Sequence, residues 1–260
     1  MGMQQPAVVK SAYPSGPLGG RLSVRLTAAY AAAGRVSPEV AAWARKAINE
    51  AGRPVSRGAQ TSALLARIRR DKFYIPDPAQ AELMVSPKCF LEGCEGIEWD
   101  GGDCDDLSAS LAAALESVDI PTAIVGQSFS GDKTITHVLV AVALKDPQGL
   151  VRWLYADPSD PELELGQSRQ ATTETWLSVR TGKVLCTNVA DCSATMTGIE
   201  APQSSLLHGD FVGVGEAIVR AEGCERECGC KSSAAWGFAV GVGVAFVTWL
   251  ATRGIVGKHG

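Results

Sequence analysis

The sequence has no excess of basic residues. Lysine and arginine total 24, aspartate and glutamate total 28, and the formal net charge at pH 7 is −4. A nucleic-acid-binding protein normally carries a basic patch or a high isoelectric point, so this composition argues against a nucleic-acid partner. Eight cysteines are too few for a disulfide-built miniprotein of this length. The 46% hydrophobic and 20% charged fractions are typical of a globular protein.

Several signature motifs are also missing. The chain has no nucleotide-binding glycine loop, no HExxH metal motif and no GxSxG elbow, and we expect no cofactor. Residues 1–20 contain no continuous apolar region, so no secretory signal is predicted. We therefore expect synthesis in a reducing cytoplasm. There, free thiols, a thiol nucleophile or metal ligands are favoured over structural disulfides.

The residue pattern divides the chain into four predicted regions. Residues 1–36 are predicted to be an N-terminal arm, in which Leu22–Thr27 alternates apolar and polar residues like a short strand. Residues 37–165 form the predicted catalytic core. Residues 166–231 form a cysteine-containing extension with weak strands, and residues 232–253 form an apolar helix.

The core contains strong helix and strand signals in an order that indicates an α+β fold. Ser37 followed by Pro38 is typical of a helix start. Helices are also predicted over Gln60–Arg70 and after Gly101-Gly102-Asp103. Strands are predicted at Ala123–Gly126, His137–Leu144, Trp153–Asp157 and, more weakly, Gly182–Cys186.

The C-terminal apolar segment has the length of a membrane span. Ala234–Ala251 contains no charged residue, and as a helix it would be about 27 Å long, against about 30 Å for the hydrocarbon core of a bilayer. Trp236 and Trp249 lie near its two ends, where interfacial aromatics occur. Gly237 and Gly241 form a small-xxx-small pair. We favour a membrane span over a buried helix that docks on the domain.

Three residues of the core suggest a thiol-dependent catalytic centre. Cys104 falls at a predicted helix N-terminus, which favours the thiolate, as does a nearby imidazolium. Of the three histidines, His137 heads a buried strand and would be fixed in position, whereas His259 lies in the terminal tail. Asp157 ends the following strand. If the two strands are antiparallel neighbours, Asp157 would lie beside His137 and orient its ring.

These residues carry a resemblance to a known family. The motifs resemble the transglutaminase-like superfamily, which is related to the papain-type thiol proteases. They are Gly102-Asp103-Cys104-Asp105-Asp106 with its helix, Ile120-Pro121-Thr122-Ala123, Thr136-His137-Val138 and Tyr155-Ala156-Asp157-Pro158. The segment Asp71–Pro78 is similar to the lead-in of bacterial and phage members. The resemblance covers roughly residues 38–160.

The resemblance implies a papain/transglutaminase-like core with a helix packed on an antiparallel sheet. In it, Cys104 is the nucleophile, His137 the base and Asp157 the residue that orients the base. The sequence departs from many members after the histidine, where Val138-Leu139-Val140 replaces an early aromatic residue. We expect this difference to reshape the acyl pocket.

The oxyanion hole is expected to include the backbone N–H of Cys104. A second donor is predicted from Trp99 or Gln127, and the resemblance favours Trp99. Asp105 and Asp106 are interpreted as helix-start residues that point away from the sulfur. A calcium loop is less favoured, because the EF-hand spacing is absent.

The remaining cysteines allow either disulfides or a metal. We rank disulfides or free thiols ahead of a zinc site, for which the candidate ligands are Cys224, Cys228 and Cys230 with His208, or with Cys186 and Cys192. Cys89 and Cys94 are expected to pair or to pack.

The leading hypothesis is a cysteine-dependent amide hydrolase, peptidase or transamidase with peptide or protein amides as substrates. The apolar segment suggests membrane association without a signal peptide, and the similarity to phage members suggests a virion location. The alternative is a non-catalytic structural or assembly protein, such as a phage virion component or a homo-oligomer, built on the same scaffold. A third hypothesis is a zinc-dependent binding module at the Cys224 cluster.

Overall fold

The computed structural model describes residues 8–11, 17–77, 82–94, 98–146, 148–188 and 192. These residues form five helices and nine strands. The helices are α1 (Pro17–Gly34), α2 (Pro38–Glu50), α3 (Arg57–Asp71), α4 (Pro87–Glu92) and α5 (Cys104–Ser117). The strands are β1 (Val8–Ser11), β2 (Phe73–Tyr74), β3 (Glu82–Val85), β4 (Gly101–Gly102), β5 (Thr122–Ser128), β6 (His137–Lys145), β7 (Val151–Ala156), β8 (Thr173–Ser178) and β9 (Val184–Cys186).

Helix α5 is the centre of the core. Every residue from Asp105 to Glu116 is buried, and α5 contacts the other four helices as well as β5 and β6. Its many alanines permit this close approach on all sides, because small side chains let neighbouring elements pack near the helix axis. The sheet beside it has five antiparallel strands in the order β7-β6-β5-β8-β9. The prediction of an α+β fold with a helix packed on an antiparallel sheet is confirmed.

The predicted helix starts and the three main strands are confirmed. Ser37 caps α2, where its hydroxyl accepts a hydrogen bond from the Val40 N–H, and Pro38 opens the helix. The segments predicted around Gln60–Arg70, Ala123–Gly126, His137–Leu144 and Trp153–Asp157 lie in or at the ends of α3, β5, β6 and β7.

The strand predicted at Leu22–Thr27 is wrong, because this segment lies inside α1. Val24, Ala28 and Ala31 are spaced four and three residues apart, which puts them on one helical face, and all three are buried in the main core. The short alternation of apolar and polar residues is compatible with a strand and with a helix. Packing against α5 stabilises the helix. Residues 17–34, expected to belong to an arm, therefore form part of the core.

The sheet continues beyond residue 165, where the catalytic core was expected to end. Strand β8 pairs directly with β5, and β9 pairs with β8, as the weak strand signal at Gly182–Cys186 suggested. Strand β8 was not predicted, because its polar residues give the sequence pattern of an exposed segment although some of them are buried. Glu174, for example, is buried among hydrogen-bond donors.

Four of the described cysteines form disulfides, Cys89 with Cys94 and Cys186 with Cys192. The general preference for free thiols is therefore wrong for these four residues, whereas pairing, an alternative left open for them, is present. Cys186 and Cys192 are wrong as zinc ligands, because disulfide sulfurs are not thiolates. Cys104 is the free cysteine of the described residues. Spacing alone did not distinguish pairing from packing, which depends on how the fold brings the sulfurs together. Cys224, Cys228, Cys230 and His208 lie outside the described residues, so the zinc site there remains a prediction.

The described part of the chain contains no helix that is both long and apolar enough to cross a bilayer. The segment 234–251, for which a membrane span is predicted, lies outside the described residues. The membrane span therefore remains a prediction.

Strand β4 requires glycine, because it lies directly against strand β2. A Cβ atom at Gly101 would collide with the backbone carbonyl oxygen of Phe73, which cannot move aside as a side chain can. We expect Gly101→Ala to destabilise the domain by about 1–3 kcal/mol, the usual cost of overpacking. The measurement is the unfolding midpoint in urea. Gly131→Ala, where an added Cβ meets nothing within 4 Å, is the matched control. Equal midpoints for the two variants would contradict the prediction.

Candidate active site

The nucleophile candidate lies at the first residue of α5, as predicted. Asp103 caps the helix, and its carboxylate oxygen accepts a hydrogen bond of 3.1 Å from the Asp105 N–H. The two glycines of β4 precede it and pair in parallel with Phe73 and Tyr74 of β2. Cys104 is therefore held between a capped helix and a paired strand.

The histidine and aspartate candidates are hydrogen-bonded to each other. The distance from His137 Nε2 to Asp157 Oδ2 is 2.7 Å. The antiparallel pairing of β6 and β7 brings them together, because Val140 lies opposite Ala156, the residue before Asp157. The predicted proximity of His137 and Asp157 is thus present in the structure.

The second carboxylate oxygen of Asp157 also accepts hydrogen bonds. Asp157 Oδ1 accepts hydrogen bonds from the Ser159 N–H at 2.9 Å, the Ser159 hydroxyl at 2.7 Å and the Asp160 N–H at 3.2 Å. Burial alone would raise the pKa of Asp157. The hydrogen bonds from His137 and Ser159 outweigh burial, so the pKa of Asp157 is lowered. Asp157 is consequently an ionised, immobile partner for the imidazole.

An arginine that the sequence did not reveal fixes the loop that carries Asp157. Arg69 of α3 donates to the backbone oxygens of Asp157 at 2.5 Å, Asp160 at 2.6 Å and Leu163 at 2.7 Å. Arg69 lies some 90 positions before these three residues in the chain, so no local sequence pattern predicts the contact. The loop that follows β7 is thereby fastened to α3.

A hydrogen bond also ties α5 to β6 beside the histidine. The Ser108 hydroxyl donates to the Val138 carbonyl oxygen at 3.0 Å, and the N–H of Val138 hydrogen-bonds the Cys104 sulfur. The helix that carries the thiol and the strand that carries the imidazole are therefore fixed against each other.

Cys104 and His137 line the same cavity, which has a volume of about 230 Å³. One part of its wall consists of Cys104, His137 and Val138. Another part is acidic and is formed by Glu82, Asp103 and Asp105, whereas no lysine or arginine lines the cavity. The structure thus brings Cys104 and His137 to one recess with an acidic wall, and Asp157 is joined to this recess through its hydrogen bond to His137.

The surroundings of the thiol oppose its ionisation. Burial is the main cause that raises the pKa of Cys104, and the negative charge of Asp103 adds to it. Asp157 and Glu82 act in the same direction, while the hydrogen bond from Val138 acts against them. The sequence led us to expect a thiolate favoured by the helix N-terminus. The structure instead implies a neutral thiol at rest, which needs a base to take its proton.

Asp105 and Asp106 are buried, with 1% and 2% exposure. Asp105 Oδ2 lies 3.2 Å from the Ser23 hydroxyl, and Asp106 Oδ1 accepts a hydrogen bond of 2.7 Å from the Val85 N–H. Asp105 lines the cavity that contains Cys104 and Asp106 does not, so the interpretation that both point away from the sulfur stays a prediction. The fold encloses this helix start with α1 and β3 instead of leaving it in solvent.

Burial in a group of like charges raises the pKa of these carboxyls. The pKa of Asp106 rises from 3.8 to about 8, mainly through burial and further through Asp103 and Asp77. Burial and the neighbouring Asp103 also raise the pKa of Asp105. The group therefore retains protons that isolated carboxyls would lose at neutral pH.

Three of the carboxylates could together hold a metal ion. Oxygen atoms of Asp103, Asp105 and Asp106 all lie within 4.8 Å of one another. Calcium and magnesium prefer oxygen ligands at about 2.0–2.6 Å, so a single hard cation could contact all three. The donor set suits such a cation better than zinc, which favours sulfur and nitrogen ligands.

The structure brings neither predicted oxyanion side chain to the cavity wall. Gln127 Nε2 donates to Glu174 Oε1 at 2.7 Å, and Trp99 packs at the edge of the main core. Tyr74 does not line the cavity, but its backbone lies opposite Gly102 in the β2–β4 pair, two residues before Cys104. Burial raises the pKa of Tyr74, and the negative charge of Asp103 raises it further. The only sequence signal for Tyr74 was its position in the lead-in segment Asp71–Pro78.

Comparison with known proteins yields only distant likenesses. No protein-family model and no curated protein sequence matches the chain. Among solved structures, it is similar to a candidate protease from Parabacteroides distasonis, with 12% identity and a TM-score of 0.40 over 65% of this chain and 31% of that one. A candidate cysteine protease from Cytophaga hutchinsonii matches with 15% identity and a TM-score of 0.32 over 60% of this chain and 43% of that one.

The periplasmic domain of TgpA from Pseudomonas aeruginosa, solved with ethylmercury, matches with 18% identity and a TM-score of 0.34, covering 54% of this chain and 50% of that one. The chain therefore spans half or less of each structure. At TM-scores below 0.5 these likenesses carry no argument for an activity, which rests on the geometry of the site.

Removing the charge at Asp103 is expected to make the thiol more reactive. Asn caps helices as well as Asp does, so Asp103→Asn keeps the helix start while it removes a charge that raises the pKa of Cys104. We expect several-fold faster alkylation of Cys104 by iodoacetamide at pH 7, measured for each peptide by mass spectrometry. Asp100→Asn, an exposed change three residues away, is the charge-matched control. An unchanged rate in Asp103→Asn would contradict the expectation.

The raised pKa of Asp106 predicts a pH-dependent stability difference. Because the folded protein holds this proton more tightly than the unfolded chain, the contribution of Asp106 is full below pH 3.8 and is lost as the pH rises towards about 8. Asp106→Asn cannot ionise. Its stability relative to wild type should increase by up to about 1.4 kcal/mol per pH unit across this window. Urea unfolding between pH 4 and pH 8 measures this difference, and a difference independent of pH would refute the prediction.

Proposed function

We propose that the chain is a thiol-dependent amide hydrolase or acyltransferase, with Cys104, His137 and Asp157 as its catalytic triad. The observation that carries this proposal is the 2.7 Å hydrogen bond between His137 and Asp157 at a cavity that also contains Cys104. An ionised carboxylate that holds one ring nitrogen leaves the other available as a base, which is the arrangement that nucleophilic catalysis requires.

In the first half of the reaction, His137 Nδ1 accepts the thiol proton as the Cys104 sulfur attacks the amide carbonyl carbon. The C–S bond forms and the carbonyl electron pair moves to oxygen. The Cys104 N–H at the helix N-terminus stabilises this oxyanion, and we propose the Tyr74 hydroxyl as the second donor. When the intermediate collapses, the C–N bond breaks and His137 returns the proton to the leaving amine.

In the second half, the acyl group leaves the sulfur. His137 takes a proton from water or from a primary amine as that group attacks the thioester, and the proton then passes to the departing sulfur. Water gives hydrolysis and an amine gives transamidation. We propose peptide or protein amides as the acyl donors, because the cavity opens to solvent beside an exposed strand.

The location of the activity is a separate part of the proposal. The uncharged segment 234–251 supports attachment to a membrane, and the resemblance to phage members supports a place in a virion. Either location would bring the catalytic domain to its substrate by tethering.

A non-catalytic structural or assembly role is the second candidate. The observation that favours it is the acidic setting of Cys104, in which burial and Asp103 raise the pKa of the thiol. In that case the triad geometry would persist as part of a scaffold for oligomer or particle assembly.

Loss of the thiol separates the two candidates. Wild type, Cys104→Ser and His137→Ala are incubated with a peptide mixture, with and without dansylcadaverine. New amino termini report hydrolysis, and dansyl incorporation reports transamidation. We expect no turnover by Cys104→Ser and a decrease of about 10²–10⁴-fold for His137→Ala, the usual contribution of a general base.

Asp157→Asn should retain the fold while it lowers the rate, because Asn cannot stabilise the imidazolium. Equal melting temperatures of the variants serve as the control for folding. Turnover by Cys104→Ser that equals wild type would refute the triad. No turnover by wild type, together with unchanged particle or oligomer assembly by Cys104→Ser, would support the scaffold.

A further inference from the structure

Three consecutive residues on and just after strand β2 expose apolar side chains. Phe73, Tyr74 and Ile75, here called the β2 strip, are 69%, 55% and 47% exposed. In the described part of the chain, the other exposed large apolar side chains stand singly along the sequence. Isolated exposed apolar residues are ordinary, whereas a contiguous group indicates a surface that binds something.

One backbone edge of β2 is unpaired within the described residues. Phe73 donates its N–H to the Asp100 oxygen, and Ile75 donates its N–H to the Gly102 oxygen, both at 2.9 Å. In a parallel pair, the intervening residue directs its N–H and C=O the opposite way. The peptide groups of Tyr74 therefore face away from β4. An open strand edge of this kind is a template for another extended segment.

The two faces of β2 differ in chemistry. Alternate residues of a strand point to opposite faces, so Phe73 and Ile75 share one face and Tyr74 occupies the other. Tyr74 lies opposite Gly102 in the β2–β4 pair, so this part of β2 runs beside the segment that leads into Asp103 and Cys104. Asp103 and Cys104 both line the cavity.

The acidic wall of the cavity near Tyr74 lacks positive partners. Within the described residues, none of its three carboxylates, Glu82, Asp103 and Asp105, forms an ion pair with lysine, arginine or histidine. Asp105 Oδ1 is buried and has no hydrogen-bond partner. A ligand that enters here meets the carboxylates of Glu82 and Asp103, neither of which has a cationic partner among the described residues, so charge complementarity favours a basic side chain.

From these features we infer that the ligand of this site is an extended peptide segment in which apolar and basic residues alternate. Its backbone pairs with Tyr74, its apolar side chains pack beside Phe73 and Ile75, and a basic side chain between them faces Glu82 and Asp103. The inference rests on the proposed function, because it identifies this segment as part of the amide substrate. In this inference, the β2 strip contributes affinity for the peptide, and the acidic wall favours peptides with a positively charged side chain.

Binding can be measured without catalysis in the full chain carrying Cys104→Ala. The probe is a fluorescein-labelled octapeptide of alternating valine and lysine. A valine–glutamate octapeptide tests charge, a block peptide of four valines and four lysines tests alternation, and backbone N-methylation tests strand pairing. Fluorescence anisotropy gives the dissociation constants. We expect the alternating valine–lysine peptide to bind at least tenfold more tightly than each of the other three.

Surface variants then locate the binding site. The double variant Phe73→Ser/Ile75→Ser should weaken binding of the valine–lysine peptide at least fivefold, and Glu82→Gln should reduce its advantage over the valine–glutamate peptide. Val55→Ser, at an apolar residue that is 98% exposed elsewhere, is the matched control and should leave binding unchanged. Melting temperatures establish that the variants fold.

The inference is overturned if the four peptides bind alike, or if Phe73→Ser/Ile75→Ser binds as Val55→Ser does. Its failure is distinguishable from failure of the proposed function. If wild type binds the peptide but does not turn it over, the proposed catalytic triad is refuted and the binding surface is supported. If turnover depends on Cys104 but does not need the β2 strip, the binding surface is refuted and the triad is supported.

Discussion

The contact between helix α5 and strand β6 is the constraint on which the site depends. A helix buried on every side cannot rotate or slide without disturbing four other helices and the sheet. The Ser108 hydroxyl and the Val138 peptide group fasten α5 to β6 within one turn of the thiol. Cys104 and His137 come from different elements, yet neither can move independently. The relative position of Cys104 and His137 is therefore a property of the core, and the loop that carries Asp157 is held by Arg69.

The negative charges around Cys104 oppose its ionisation, although the geometry of the site favours its role as a nucleophile. The thiol has a fixed imidazole and a fixed carboxylate, which favour catalysis, and it also lies among acids that raise its pKa. A cationic ligand would change that balance, because positive charge beside Asp103 offsets part of the cost of forming the thiolate. Substrate recognition and activation of the nucleophile would then be one event, since the group that binds also favours ionisation.

Local signals predicted much of this fold. Caps and periodicity predicted helix α2, the start of α5 and strands β5, β6 and β7, and with them the positions of Cys104, His137 and Asp157. The failures share a physical cause, which is that tertiary contacts decided the outcome. Alternation at Leu22–Thr27 suited a strand until α5 buried one helical face. Arg69 hydrogen-bonds a loop some 90 residues away, and no short sequence pattern could predict that contact.

Among the described residues, two disulfides coexist with a free cysteine, and this has a chemical consequence. Oxidants attack thiolates far faster than thiols. A thiol that its surroundings hold neutral can therefore persist under the conditions that keep Cys89–Cys94 and Cys186–Cys192 oxidised. The carboxylates around Cys104 would protect the sulfur from sulfenic acid formation and from mispairing with the other cysteines. The same negative charge that slows the resting nucleophile would then extend its lifetime.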